Sequence, residues 1–115
     1  MDDFITVFPA IDISMAIPMM VEMLKRRHLA PIYGGKTPIA PEHEDYLLID
    51  RIPDIFVTGH GHATAVDSYR NVKLINASTW QSQTAYQKMM NYKPDPAKVP
   101  IVDLQTYQHI VMEFK

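Results

Sequence analysis

Asp54-Ile-Phe-Val-Thr-Gly-His-Gly-His62 is the stretch around which the chain is organised. Apolar, β-prone residues run into a Gly-His-Gly-His turn, so the pattern predicts a buried strand that delivers two imidazoles to its own carboxyl end. Ligand sites in open α/β sheets collect beyond the carboxyl ends of strands. His60 and His62 stand two apart. In an extended backbone both would project from one face, and Gly59 and Gly61 would let the main chain approach a ligand closely. That arrangement suits a metal ion, and a pair of surface or hydrogen-bonded histidines is the alternative.

Outward from this turn the sheet continues. Thr64 to Tyr69 and Val72 to Asn76 read as a hairpin across Arg70-Asn71, with Asn71 suited to a left-handed turn position. Upstream, Tyr46 to Asp50 reads as a short strand and Arg51-Ile-Pro53 as a turn. Apolar residues at 17, 20, 21 and 24 mark one helix face. Pro18 is tolerated only in a first turn, so that helix starts near Ile17, and Ala30-Pro31 ends it. Before it, Met1-Asp2-Asp3-Phe4-Ile5 begins without a capping signal and leads into an irregular apolar stretch from Val7 to Ile13. Toward the C-terminus, Thr84 to Met90 reads as a short helix capped by Thr84 and stopped by Asn91, and Val99 to Leu104 with Tyr107 to Phe114 as a closing hairpin. The expected class is α/β in the broad sense, more narrowly α+β. No domain boundary is visible within 1–115.

The totals exclude several classes. The 115 residues are 47% hydrophobic and 21% charged with net charge −2, which argues against disorder and against a globally basic nucleic-acid binder. Any DNA contact must be local. There is no cysteine, so disulfides and thiolate metal sites are excluded, and a reducing cytoplasm is the expected compartment. The uncharged stretch Ile13 to Val21 contains Pro18 and falls well short of the roughly 20 apolar residues of a membrane span.

Gly35-Lys36-Thr37 resembles the end of a phosphate loop only superficially. The motif requires a glycine where this chain has Ala30, and Pro38 forbids the helix that should follow. Lys25-Arg26-Arg27-His28 complements the negative end of the helix dipole and is either a solvated cationic terminus or a phosphate-contacting patch. Trp80 could stack on a splayed base, or be a buried or partner-facing residue hydrogen-bonded through its indole N–H. Tyr86, Met89 and Met90 belong either to the core or to a partner surface. His28 reads as a packing or capping residue, His43 as solvated, and His109 as a packed or hydrogen-bonded strand residue.

Downstream of the histidines, Leu74-Ile-Asn-Ala-Ser78 returns a strand ending in Asn and Ser to the same sheet end. Gly-His-x-His, a hairpin, then Ile-Asn with small and hydroxyl residues resembles the last motif of calcineurin-like metallophosphoesterases. Lys25 to Pro41, Ile75-Asn-Ala-Ser-Thr-Trp-Gln81, Gln87-Lys-Met-Met90 and Val99-Pro-Ile-Val-Asp-Leu-Gln105 narrow the likeness. With the histidine turn they are similar to the C-terminal part of the small subunits of archaeal family D DNA polymerases, over nearly the whole chain from Asp2.

The resemblance implies the C-terminal portion of a metallophosphoesterase αββα sandwich, two β-sheets flanked by helices. It implies a 3′→5′ proofreading exonuclease beside a large catalytic polymerase subunit, acting on DNA 3′ ends in the nucleoid-associated cytoplasm. It further implies two divalent metal ions, manganese by preference with iron or zinc as alternatives, with His60 on one ion and His62 on the other. The residues expected to contact substrate are Lys25, Arg26, Arg27, Lys36, Asn76 and Trp80. The family's upstream motifs, Asp-x-His, Gly-Asp-x-x-Asp and Gly-Asn-His-Asp, are absent from this sequence, as is the histidine preceding Asp-Asp-x-Ile. No catalytic residue is therefore expected within the chain, and the remaining metal ligands must lie outside it. The expectation is a C-terminal segment inactive by itself. A non-catalytic scaffold for the large subunit and a phosphoesterase acting on a small phosphodiester are the rival readings.

Overall fold

The computed structural model describes residues 1–8, 10 and 14–114. The pivot of the fold is α2, Ala16–Arg26, whose apolar side is laid against a three-stranded sheet. Ala16, Met19, Met20, Met23 and Leu24 are its buried residues, the i, i+3, i+4, i+7, i+8 spacing of one helix face. Pro18 sits in the first turn, where no intrahelical N–H is needed. The helix ends earlier than Ala30-Pro31 would place it. Arg27 adopts φ 54° and passes its N–H to the Leu24 carbonyl, while the His28 N–H reaches back to the Met23 carbonyl at 3.1 Å. This paired closure satisfies the last carbonyls without glycine.

A first helix, α1 (Asp2–Val7), was not expected: Asp2 to Ile5 shows no capping signal, and Val7 at its end begins the stretch read as irregular. Two acidic residues in its first turn complement the helix dipole. Six residues are too few to show periodicity, and what holds them is tertiary packing: Phe4 is 2% exposed against Met19 and Met23. The rest of the stretch expected to be irregular, up to Ile13, lies largely outside the described residues.

The sheet has the order β1-β3-β2, with β1 (Ile55–Thr58) parallel to β3 (Val72–Asn76) and β2 (Ala65–Tyr69) antiparallel to it. The β2–β3 hairpin turns at Arg70 and Asn71, both at positive φ, as a two-residue turn that follows the strand twist requires. Burial corrects the sequence reading of β1. That strand is an edge, with Val57 55% exposed, whereas central β3 buries Val72, Leu74, Ile75 and Asn76. Met20, Leu24, Val72 and Leu74 form the core, and Phe56 joins it to the Phe4 cluster.

Tyr46 to Asp50 is not a strand. It makes one isolated antiparallel bridge, His28 to Leu48, and leaves Tyr46 and Leu48 exposed. Beyond the sheet, α3 (Ala85–Met89) carries the expected Thr84 cap as a reciprocal box with Gln87. The closing hairpin forms with shorter strands, the first of them shifted to start at Lys98 rather than Val99: β4 (Lys98–Val102) runs antiparallel to β5 (His109–Glu113) in a separate two-stranded sheet. The class is α+β. Among the described residues no helix is long and apolar enough to cross a membrane.

Candidate functional site

A buried side-chain amide braces the loop that carries the histidines. Asn76 ends β3 fully buried; its Oδ1 accepts from the Thr58 hydroxyl at 3.0 Å and its Nδ2 donates to the Ala63 carbonyl at 2.6 Å. It therefore ties the end of β1 to the residue after His62, with the Ala77 N–H to Thr58 carbonyl bond, 2.8 Å, alongside. Expected as a substrate contact, Asn76 is placed in the interior, with both amide atoms engaged by the loop it supports.

The loop backbone is not extended. His60 has φ 70° and His62 φ 47°, so the alternation of a strand does not apply and the two rings are not delivered to one face by it. Each finds its own partner. His60 is exposed and its Nε2 lies 3.0 Å from Asp2 Oδ1, at the start of α1. His62 Nδ1 lies 2.9 Å from Gln87 Nε2 in the first turn of α3.

Those partners fix the ring protons. Gln87 Oε1 accepts the Thr84 N–H in the capping box, so Gln87 presents its NH2 to His62 and donates to Nδ1. A neutral His62 then carries its hydrogen on Nε2. Asp2 accepts from His60 Nε2, which places a hydrogen there too. Both Nε2 atoms are thus hydrogen-bearing rather than open lone pairs. Among the described residues no group of three or more His, Asp or Glu side chains converges as a metal ligand set. These residues alone do not fit a resident metal centre.

A second carboxylate organises the neighbouring loop. Asp3, 3% exposed, accepts the Lys36 N–H at 2.6 Å and the Thr37 N–H at 3.2 Å, and a β-carbon at Gly35 would run into it. Hydrogen bonding by the Thr37 side chain, with the two backbone donors, holds its carboxyl below the usual range against the opposing effect of burial. The Gly-Gly-Lys-Thr turn thus binds an anion, and the anion is the protein's own. Lys36 itself is exposed and shares with Asp2, Thr37, Gly59 and His60 a cleft of about 540 Å³ floored by Met23 and Phe56. A cavity of about 590 Å³, inside the 28–47 loop, lies away from both histidines.

The other expected contact residues are dispersed. Lys25 and Arg26 both pair with Glu22, whose carboxyl is lowered chiefly by its bond from Lys25. Arg26 also lies over the Phe8 ring, and Arg27 donates to the Ile49 carbonyl at 3.0 Å. His28 caps locally, accepting the Ala30 N–H on Nδ1 and donating from Nε2 to Asp45. Trp80 is 71% exposed and tilts against Phe114, ring centroids 5.7 Å apart. Of the expected contact residues only Lys36 shares the cleft of a histidine. Sequence reading missed Asp2 and Gln87, the groups that orient the imidazoles. Thr84-x-x-Gln87 was legible as a capping box; its second use was not.

Fold and site together define a class: an α+β segment that presents two glycine-bracketed histidines at the carboxyl end of a mixed sheet. Over 96 residues the chain is 52% identical to the DNA polymerase II small subunit of Pyrococcus furiosus, covering 83% of this chain and 16% of that protein. It is 44% identical over 114 residues to the subunit of the same name from Thermoplasma acidophilum, and 45% over 116 residues to that of Halobacterium salinarum. Each of these covers 99% of this chain and 23% of the relative. No family model matches. The chain belongs with the archaeal DNA polymerase II small subunits, and it spans about a sixth to a quarter of the length of the curated relatives it matches.

Proposed function

We propose that the chain acts as a C-terminal segment of the proofreading 3′→5′ exonuclease subunit of an archaeal replicative DNA polymerase, beside a large catalytic subunit and at DNA 3′ ends. Kinship with proteins named DNA polymerase II small subunit supports the subunit role. One structural observation supports the site: buried Asn76 clamps a loop in which two non-glycine residues, both histidines, are kept at positive φ. Such backbone is held by its surroundings; it also closes α2 at Arg27 and the hairpin at Arg70 and Asn71, so the clamp by Asn76 rather than φ alone marks this loop. On this reading the three-stranded sheet and α2 are a portion of a metallophosphoesterase sandwich. His60 and His62 are two imidazoles of a dinuclear centre, and its other ligands come from polypeptide carrying the Asp and His motifs. Ligation through Nε2 would require a change of ring tautomer, with Gln87 or Asp2 giving up its present bond. The chain alone is expected to be inert as a nuclease.

The test is to combine the chain with a polypeptide bearing those motifs and assay release of nucleotides from DNA 3′ ends with Mn²⁺. Metal-dependent release that His60→Ala and His62→Ala each abolish is the expected result. Release by the 115-residue chain alone would overturn the assignment. A scaffold that only tethers the large subunit is the second reading, favoured by the engagement of both imidazoles with Asp2 and Gln87. A mixture that binds the large subunit and stays inert would select it.

A further inference from the structure

The two histidines of the loop are not equally open. His60 stands in solvent, whereas His62 is half-buried and the segment 79–97 lies against it. This segment is a strap closed at its neck, where the Ala97 N–H donates to the Thr79 carbonyl at 2.8 Å. Within it Thr84 caps α3, and the chain leaves the helix through Asn91 at φ 52°. There the Tyr92 N–H returns to the Gln87 carbonyl and the Asn91 N–H to that of Lys88. The Gln83 amide donates to the Tyr92 carbonyl at 2.7 Å and folds the strap on itself.

The strap is fastened by polar bonds rather than by burial. Residues 79–97 are all described and none of them is buried. Near the neck the Ser78 hydroxyl donates to the Asp95 carbonyl, Lys98 pairs with Asp95, and Trp80 tilts against Phe114. Its ties to the histidine loop end on His62 itself: the Asp95 N–H donates to the His62 carbonyl at 2.8 Å, and Gln87 Nε2 donates to the ring Nδ1 at 2.9 Å. A segment with so little buried apolar surface opens at lower free energy than the core.

The bond to the ring has a fixed polarity. Gln87 Oε1 accepts the Thr84 N–H at 3.0 Å while the Gln87 N–H donates to the Thr84 hydroxyl at 3.2 Å. Turning the side-chain amide over would set its NH2 against the Thr84 N–H, donor against donor. One amide therefore serves both the cap of α3 and the hold on His62, and it can offer the ring only a donor. A residue that merely capped α3 would do so equally well as glutamate, and the ring hydrogen would stay where it is.

We propose that Gln87 is the positioning residue of His62: its amide holds the ring in the Nε2–H tautomer and, through the same bond, latches the strap over the histidine. On the reading of His62 as a ligand through Nε2, the ring hydrogen passes to Nδ1, where Gln87 accepts it only by releasing the Thr84 N–H. An occupied His62 and a capped, latched strap are then alternatives. That consequence rests on the proposed site; the lock does not, and it is tested on the chain by itself.

The measurements are amide hydrogen exchange and imidazole nitrogen spectra of the isotopically labelled chain, taken at alkaline pH with the rings neutral. The strap amides of Lys88, Tyr92, Asp95 and Ala97 should exchange together, and faster than those of Leu74 and Ile75 in β3. His62→Ala should speed the strap amides about three- to tenfold, the equivalent of one hydrogen bond, while β3 is unchanged. A free imidazole already favours hydrogen on Nε2, so the decisive variant is Gln87→Glu. Its carboxylate keeps the Thr84 N–H, as the acidic partner of a capping box does, and accepts from the ring. It should move the His62 hydrogen to Nδ1 and keep the strap amides slow. Should His62→Ala not fold, Gln87→Leu replaces it: with neither donor nor acceptor, it should speed strap exchange and leave His62 a mixture of tautomers. Hydrogen on Nδ1 in the unaltered chain would overturn the proposal. So would a Gln87→Glu chain whose His62 keeps its hydrogen on Nε2, strap amides that exchange only with β3, or strap exchange that a folded His62→Ala leaves unchanged.

Discussion

The two sheets of this molecule treat the same kind of sequence in opposite ways. β3 and β5 are both five-residue strands rich in β-branched and long apolar side chains, yet β3 is almost wholly buried and β5 is exposed throughout. The difference is neighbours. β3 has a strand on each side and α2 across its face; β5 has one strand and no helix packed on it among the described residues. Apolar composition makes a strand, but only layers make a core.

Substitution should expose that contrast most sharply in the core. Leu74 is 0% exposed in β3, and Leu74→Ala should lower unfolding free energy by about 2–5 kcal/mol through lost burial and a residual cavity. Ile110 is 60% exposed in β5, and Ile110→Ala should cost at most about 1 kcal/mol, the range of cross-strand pairs. Urea unfolding at low protein concentration measures both. Equal losses would mean that the hairpin is part of the same cooperative core.

What could be read in advance divides along the same line. Local signals were legible: the 3.6-residue spacing of α2, the Arg70-Asn71 turn, the Thr84 cap, and the closing hairpin with its turn. What failed depended on the absent or distant neighbour. β1 has the apolar run of a buried strand but is an edge, and Tyr46 to Asp50 has strand composition but finds one bridge. α1 is too short to show a period and stands on contacts with α2. At the site, the residue types were visible and the geometry was not. Positive φ at a histidine leaves no mark in sequence, and the bond from His60 to Asp2 spans 58 positions.

Asn76 tests whether the packed half positions the histidine loop. Asn76→Ala would leave the partly buried Ala63 carbonyl and the Thr58 hydroxyl without their present partner, at a cost of about 2–3 kcal/mol. It should also speed amide exchange at Gly61 and Ala63 beyond the global change. If the loop amides exchange no faster than stability requires, the clamp is only structural. The same measurement on the hairpin turn, residues 103–108, should show no change.

A last contrast separates two carboxylates that share a direction of shift. Asp3 in the packed half is lowered chiefly by the Thr37 side chain and then the Lys36 and Thr37 amides, and is 3% exposed. Asp103 in the hairpin turn is lowered by the backbone amides of Gln105 and Thr106 and stands in solvent. A carboxyl lowered by folding stabilises the native state fully above its unfolded value, 3.8 for Asp3, and loses that contribution as pH falls through the lower folded value. Asp3→Asn should therefore cost about 1–2 kcal/mol at neutral pH. Below the ordinary carboxylate range its urea midpoint should fall less steeply than that of the unaltered chain. Glu22, lowered as well and only partly exposed, keeps part of the slope in both. Asp103→Asn should leave the slope nearly intact, because solvent screens its bonds in the native state. An acid transition that follows Asp103 and ignores Asp3 would place the acid-labile contact in the hairpin, and the division between a packed half and a free-standing one would fail.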